Sequence, residues 1–142
     1  MQEYIDFFHA HTMLCVAWAA LLVALIVTLF KMAFSKVKTI NTQEATMLIN
    51  KQEAVVIDVR GKDEFRKGHI VNAVNMPMAD IKNSRANLEK HKSKPIILVC
   101  NAGMTSSQAA QILVKDGFEQ VYSLKGGMGE WQAANMPVSR RK

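Results

Sequence analysis

The sequence predicts an open α/β domain with a mainly parallel sheet flanked by helices, preceded by one N-terminal transmembrane helix. Three observations lead there. The short apolar runs Ala54-Val55-Val56-Ile57-Asp58-Val59 and Ile96-Ile97-Leu98-Val99 suit strands buried on both faces. Helix-like stretches alternate with such runs across the rest of the chain. Ahead of them, Thr12 to Phe30 reads TMLCVAWAALLVALIVTLF, nineteen residues without a charge, enough as a helix to cross a hydrocarbon core of about 30 Å.

The N-terminal part comes first. With 142 residues and a net charge of +6, one domain plus an appendage is the expected organisation. Residues 1–11 form a short tail, 12–30 the span, 31–38 (KMAFSKVK) a basic connector, 39–138 the domain and 139–142 a basic tail. A cleaved signal peptide fits poorly, because Glu3 and Asp6 precede the apolar run without any Lys or Arg, and Phe30-Lys31-Met32-Ala33-Phe34 offers no small-residue exit. All 18 Lys and Arg residues follow Phe30, with Lys31, Lys36 and Lys38 just beyond the span. The positive-inside rule therefore predicts the N-terminus outside, the domain in the cytoplasm, and Tyr4, Phe7 and Phe8 at the outer interface. Ala20, Ala24 and Thr28 recur every four residues and allow a second transmembrane helix to approach closely. The connector faces anionic membrane lipid. Cys15 lies inside the span, which leaves Cys100 as the one cysteine of the domain and no disulfide expected there.

Asn41 caps a helix, with Glu44 in capping-box register and Ala45, Leu48 and Ile49 on its inner face. The strand through Val59 follows. Arg60 to Lys67 is short and charged with Phe65 as a buried anchor, and Gly68 closes the turn in left-handed geometry. Val71 to Met76 reads as another strand, and Asp80 to His91 as a polar stretch packed through Ile81 and Leu88. After the strand ending at Val99 come the loop of Cys100 and a helix that Gly117 terminates. Gln120 to Leu124 is the last strand, and Gly126-Gly127 leads to a short helix holding Trp131 in the core. That makes four strands, with room for a fifth near Thr39-Ile40.

The stretch Cys100-Asn101-Ala102-Gly103-Met104-Thr105-Ser106 lies between a buried strand and a helix start. Backbone N–H groups there can converge on one point and favour negative charge on it. Lowering a thiol pKa by about two units makes about 25-fold more thiolate at pH 7, but nucleophilicity falls about 8-fold, so the net gain is only about 3-fold. The loop amides matter more as a cradle for an anionic sulfur product or substrate. Packing of Cys100 as a small buried hydrophobe is the alternative. His9, His11 and His91 are scattered without metal-ligand spacing, so no metal and no cofactor is predicted. No aromatic-interleaved motif accompanies the basic surface or Arg140-Arg141-Lys142, so no nucleic acid is expected as a partner.

Four stretches together resemble the rhodanese homology domain. They are Asp58-Val59-Arg60; Glu64-Phe65-Arg66-Lys67-Gly68-His69-Ile70 with Ala73 and Asn75-Met76-Pro77; the Cys100 loop; and Gly126-Gly127-Met128 with Trp131 and Pro137. The resemblance spans nearly all of residues 39–138, and the added span makes the whole chain similar to membrane-anchored bacterial members. It implies a single-pass protein of the bacterial inner membrane that transfers sulfur. Cys100 would take sulfane sulfur from a small donor as a persulfide and pass it to a thiol or protein acceptor. Asn101, Ala102, Gly103, Met104, Thr105 and Ser106 would bind the substrate. Asp58, Arg60, Glu64 and His69 are expected to brace the loops. Cys100 plus five residues before Ser106 is similar in length to sulfurtransferase loops rather than the longer loops of related phosphatases. Asn101 and Thr105 stand where thiosulfate-using members often carry arginine, which weakens the expected hold on a dianion. Two other readings stay open. One is an interaction module tethered beside membrane-protein machinery, with little or no catalytic role; the other is redox sensing by the thiolate.

Overall fold

The computed structural model describes residues 1–33, 37–83 and 85–140. Lys36 of the connector and Arg141-Lys142 of the tail lie outside the described residues. The chain divides into two compact units, Met1–Ser35 and Lys36–Lys142.

In the first unit, α1 (Gln2–Ala10) and α2 (Thr12–Ala33) follow one another. The tail expected ahead of the span is thus helical, and His11 marks the joint between the two helices at φ −122° and ψ 33°. Thr12–Lys31 of α2 is long and apolar enough to cross a membrane, and none of it is buried within the protein. Such a surface loses free energy in water unless it is covered by apolar surroundings. Thr28 Oγ1 donates to the carbonyl of Ala24 at 2.7 Å, so the polar group of the small-residue stripe is satisfied inside its own helix.

The second unit carries a five-stranded parallel sheet. Its strands are β1 (Lys38–Ile40), β2 (Val55–Asp58), β4 (Val74–Asn75), β5 (Ile96–Val99) and β6 (Val121–Leu124), ordered β1-β6-β5-β2-β4. Pairing of Lys38 with Tyr122 brings the end of the connector into β1. Helices α3 (Thr42–Gln52) and α8 (Gly127–Ala133) supply one face of the core, where Ala45, Met128 and Trp131 meet Val56, Ile97 and Val99. On the other face α5 (Met78–Asn83), α6 (Arg85–Glu89) and α7 (Met104–Lys115) set Ile81, Leu88 and Leu113 against Ile57, Ile96 and Leu98. Residues of β5 alternate between the two clusters and all four are fully buried, as a central strand covered on both sides requires. Asn41 and Glu44 form the expected capping box at α3. Trp131 is buried and donates its Nε1–H to the carbonyl of Pro137 at 3.1 Å.

Three expectations are corrected. Residues 60–68 include a helix, α4 (Lys62–Lys67), and Gly68 after it has φ 165°, extended backbone that feeds directly into β3 (His69–Ile70). Its N–H still closes the turn by donating to the carbonyl of Phe65 at 3.3 Å. The strand expected over Val71–Met76 is reduced to Val74–Asn75, because Asn72 adopts φ 64° and residues just after β3 turn instead. Leu124 does not end the last strand either. β7 (Val138–Ser139) pairs antiparallel with β3 in a separate two-stranded sheet, so Ser139 belongs with the domain. Segments of two residues carry no periodicity that a sequence can display.

Candidate active site

Cys100 follows β5 directly, at the carboxyl end of the sheet, where open α/β folds place their sites. Gly103 then takes φ +100° at the start of α7, a conformation that glycine adopts without a Cβ penalty. This turn swings the Gly103 N–H onto the sulfur, 2.9 Å from Sγ. Ser106 Oγ lies 3.5 Å from the same sulfur. Burial alone pushes the Cys100 thiol up; the Ser106 hydroxyl and the amides of Ser106, Gly103 and Ala102 outweigh it and hold the thiol below the usual cysteine value.

The sulfur borders a cavity of about 350 Å³ lined by Val59, Arg60, Glu64, Cys100, Asn101, Ala102, Met104 and Thr105. Of the loop residues expected to bind substrate, Asn101, Ala102, Met104 and Thr105 therefore face it, with Met104 at 78% exposure on the rim. Gly103 contributes through its amide. Ser106 does not line the cavity; it is fully buried behind the sulfur.

The expected brace divides into two parts. Arg60 Nη2 binds Asp58 Oδ2 and the Gly68 carbonyl, both at 2.7 Å, while Arg60 Nε reaches Asp58 Oδ1 at 2.9 Å. That buried ion pair ties the end of β2 to the turn after α4. Glu64 belongs instead to the cavity mouth, where its Oε2 accepts from Asn101 Nδ2 at 2.9 Å. His69 is buried away from the cavity lining. Its Nδ1–H donates to the Phe65 carbonyl at 2.7 Å, and its ring stacks on Phe65 with centroids 3.7 Å apart.

One site residue lacked a sequence argument. Ser123 on β6 is 1% exposed, with its Oγ 2.8 Å from Ser106 Oγ and 3.3 Å from Ser107 Oγ. A serine inside the apolar strand Val121-Tyr122-Ser123-Leu124 was the available signal, because a buried hydroxyl requires a partner.

Residues 41–134 match the family model of the rhodanese-like domain. The chain belongs to the rhodanese family. Across its full length it is 50% identical to the uncharacterized protein YibN of Escherichia coli K12, with all of both chains covered. It is 38% identical over 96 residues to the thiosulfate sulfurtransferase GlpE of Coxiella burnetii, covering 68% of this chain and 88% of that one. Among solved structures, a rhodanese-related protein from Thermoplasma volcanium superimposes with a TM-score of 0.67 at 26% identity, covering 73% of this chain and 99% of that one. Rhodanese membership, with a thiosulfate sulfurtransferase among the relatives, supports a sulfurtransferase-family role.

Proposed function

We propose that this rhodanese-family chain is a membrane-anchored sulfurtransferase that carries sulfane sulfur on Cys100. The observation that carries the proposal is the sulfur itself, at the edge of an open cavity with the Gly103 amide 2.9 Å away and its thiol pKa lowered. The thiolate attacks the outer sulfur of a donor, and the donor's sulfur bond breaks with its electron pair leaving on the remainder. Cys100 becomes a persulfide. A thiol or protein nucleophile then takes the outer sulfur and returns the thiolate. Amides converging on the first sulfur stabilise negative charge at each stage.

The apolar helix α2 supplies the anchor, with the N-terminus outside and the domain beside cytoplasmic lipid, as the bias of Lys and Arg toward residues after Phe30 favours. Ala20, Ala24 and Thr28 offer a face for a second transmembrane helix. A span so apolar also favours the tethered docking module as the competing reading, since a soluble donor needs no anchor.

The test is the intact mass of the full chain in neutral detergent after exposure to thiosulfate and, separately, to an organic hydropersulfide. A gain of about 32 Da on Cys100, removable by a thiol and absent in Cys100→Ser, is expected. No gain from either donor in folded, reduced protein would reject sulfur transfer in favour of docking. Replacing the span by an unrelated one while keeping Cys100 separates the two roles in cells. Loss of the cellular role would then point to docking through the helix.

A further inference from the structure

The side chains lining the Cys100 cavity are unevenly charged. Arg60 is the cation among them, and its guanidinium is committed to the Asp58 carboxylate and the Gly68 carbonyl, with the side chain only 7% exposed. Asp58 and Arg60 cancel. Glu64 stands at the mouth, exposed and held there by the amide of Asn101, a neutral donor that positions the carboxylate without cancelling its charge. Val59, Ala102 and Met104 are apolar and Thr105 is neutral, so with Arg60 neutralised by Asp58 from outside the lining, Glu64 is the uncompensated charge that the lining adds to the thiolate itself. Loop amides favour an anion at the sulfur, but that is where the thiolate already sits.

Sulfane donors differ in both charge and shape. Thiosulfate brings two negative charges and no carbon, whereas an organic hydropersulfide brings at most one and a carbon chain. Exposed Met104 on the rim and buried Val59 in the lining provide apolar surface for such a chain. We infer that the donor is an organic hydropersulfide rather than thiosulfate, and that Glu64 is the specificity-determining residue that disfavours the dianion. The inference rests on the sulfur-transfer reading above. The step balances as Cys100–S⁻ plus R–S–SH giving Cys100–S–SH plus R–S⁻. One S–S bond breaks as another forms, the electron pair leaves on R–S⁻, the proton travels with the transferred sulfur, and no external oxidant or reductant is needed.

The experiment compares single-turnover sulfur loading of the full chain in neutral detergent by thiosulfate and by an alkyl hydropersulfide, read by intact mass. Wild type is expected to load faster from the hydropersulfide. Glu64→Gln keeps an oxygen for Asn101 and removes the charge. It should raise the thiosulfate-to-hydropersulfide rate ratio about 3-fold at low salt, the difference between repelling two charges and one across roughly 6 Å of water. Added salt should raise the wild-type ratio and close that gap. Glu119→Gln removes an exposed charge just before β6, at the opposite end of the sheet, and should leave the ratio unchanged. Equal wild-type rates from both donors, or a ratio unmoved by both Glu64→Gln and salt, would overturn the donor assignment alone. Loading from neither donor would overturn sulfur transfer itself and this inference with it.

Discussion

The amide of Met128 donates to the carbonyl of Cys100 at 2.8 Å, and the amide of Gly129 donates to the carbonyl of Asn101 at 3.2 Å. In a trans peptide the C=O and the next N–H point in opposite directions. Fixing those two carbonyls against the start of α8 therefore turns the following amides away from α8, and the Ala102 amide among them stabilises the thiolate.

That contact needs Gly127. Its φ is +57°, and a Cβ would run into the Cys100 carbonyl and lie 2.8 Å from the carbonyl carbon and oxygen of Asn101. Gly127→Ala is expected to cost about 2–4 kcal/mol, combining left-handed strain with overpacking, and to raise the Cys100 thiol pKa. Urea unfolding and the pH profile of Cys100 alkylation check both. Gly61 is the contrast, with φ −64° and open space where a Cβ would stand. Gly61→Ala should shift stability by less than about 0.5 kcal/mol, because a weaker N-cap offsets the reduced freedom of the unfolded chain.

Asp58 and Arg60 are 1% and 8% exposed. Removing one charge leaves the other buried without compensation, so Asp58→Asn should cost about 3–5 kcal/mol in urea unfolding. A loss under about 1 kcal/mol would mean that water reaches the pair in solution.

How far the sequence was legible follows from the range of each interaction. The capping box of Asn41 and Glu44 is complete within four residues, and the alternation of β5 between two core clusters is written in Ile96 to Val99. The Cys100 loop was legible because its own glycine and small polar residues make the turn. What lay outside sequence reasoning was long-range pairing. His69 with Ser139, Glu64 with Asn101 and Ser106 with Ser123 join segments 17 to 70 positions apart, and no local period encodes such partners. Gly68 misled for a related reason. A glycine after a short helix signals a left-handed cap, yet here the chain must extend at once to reach β7.

Ionisation of Cys100 couples to folding with a definite sign. Its pKa in the folded chain lies below the ordinary cysteine value, so its stabilisation is fully present above that ordinary value and is lost as pH falls through the folded pKa. Urea midpoints should accordingly rise with pH across that window. Ser106→Ala removes the side-chain donor to the thiolate; the alkylation profile should move up by about one unit and the pH-dependence of stability should flatten. An unshifted profile would mean that the backbone amides act alone.

The hydroxyl protons behind the sulfur link Ser123 to the thiolate. Ser106 has one hydroxyl proton and three neighbours for it, the Gly103 carbonyl at 3.0 Å, Ser123 Oγ at 2.8 Å and Cys100 Sγ at 3.5 Å. Ser107 Oγ already donates to the Gly103 carbonyl at 2.9 Å. When Ser123 donates to Ser106, the Ser106 proton is free to turn to the sulfur once that is a thiolate, and every hydroxyl stays satisfied. With a neutral thiol the direction reverses, S–H donating to Ser106 Oγ and Ser106 donating to Gly103. Ser123→Ala removes the donor behind Ser106, so its bond to the thiolate loses the roughly 10–30% gained by cooperativity. The expected result is a rise of a few tenths of a unit in the alkylation pKa, smaller than for Ser106→Ala and in the same direction. In the double variant Ser106→Ala/Ser123→Ala, the second change should add nothing to the pKa, because Ser123 acts on sulfur only through Ser106. A loss of stability with the pKa unmoved would make Ser123 a buried hydroxyl with a packing role and no influence on the thiolate.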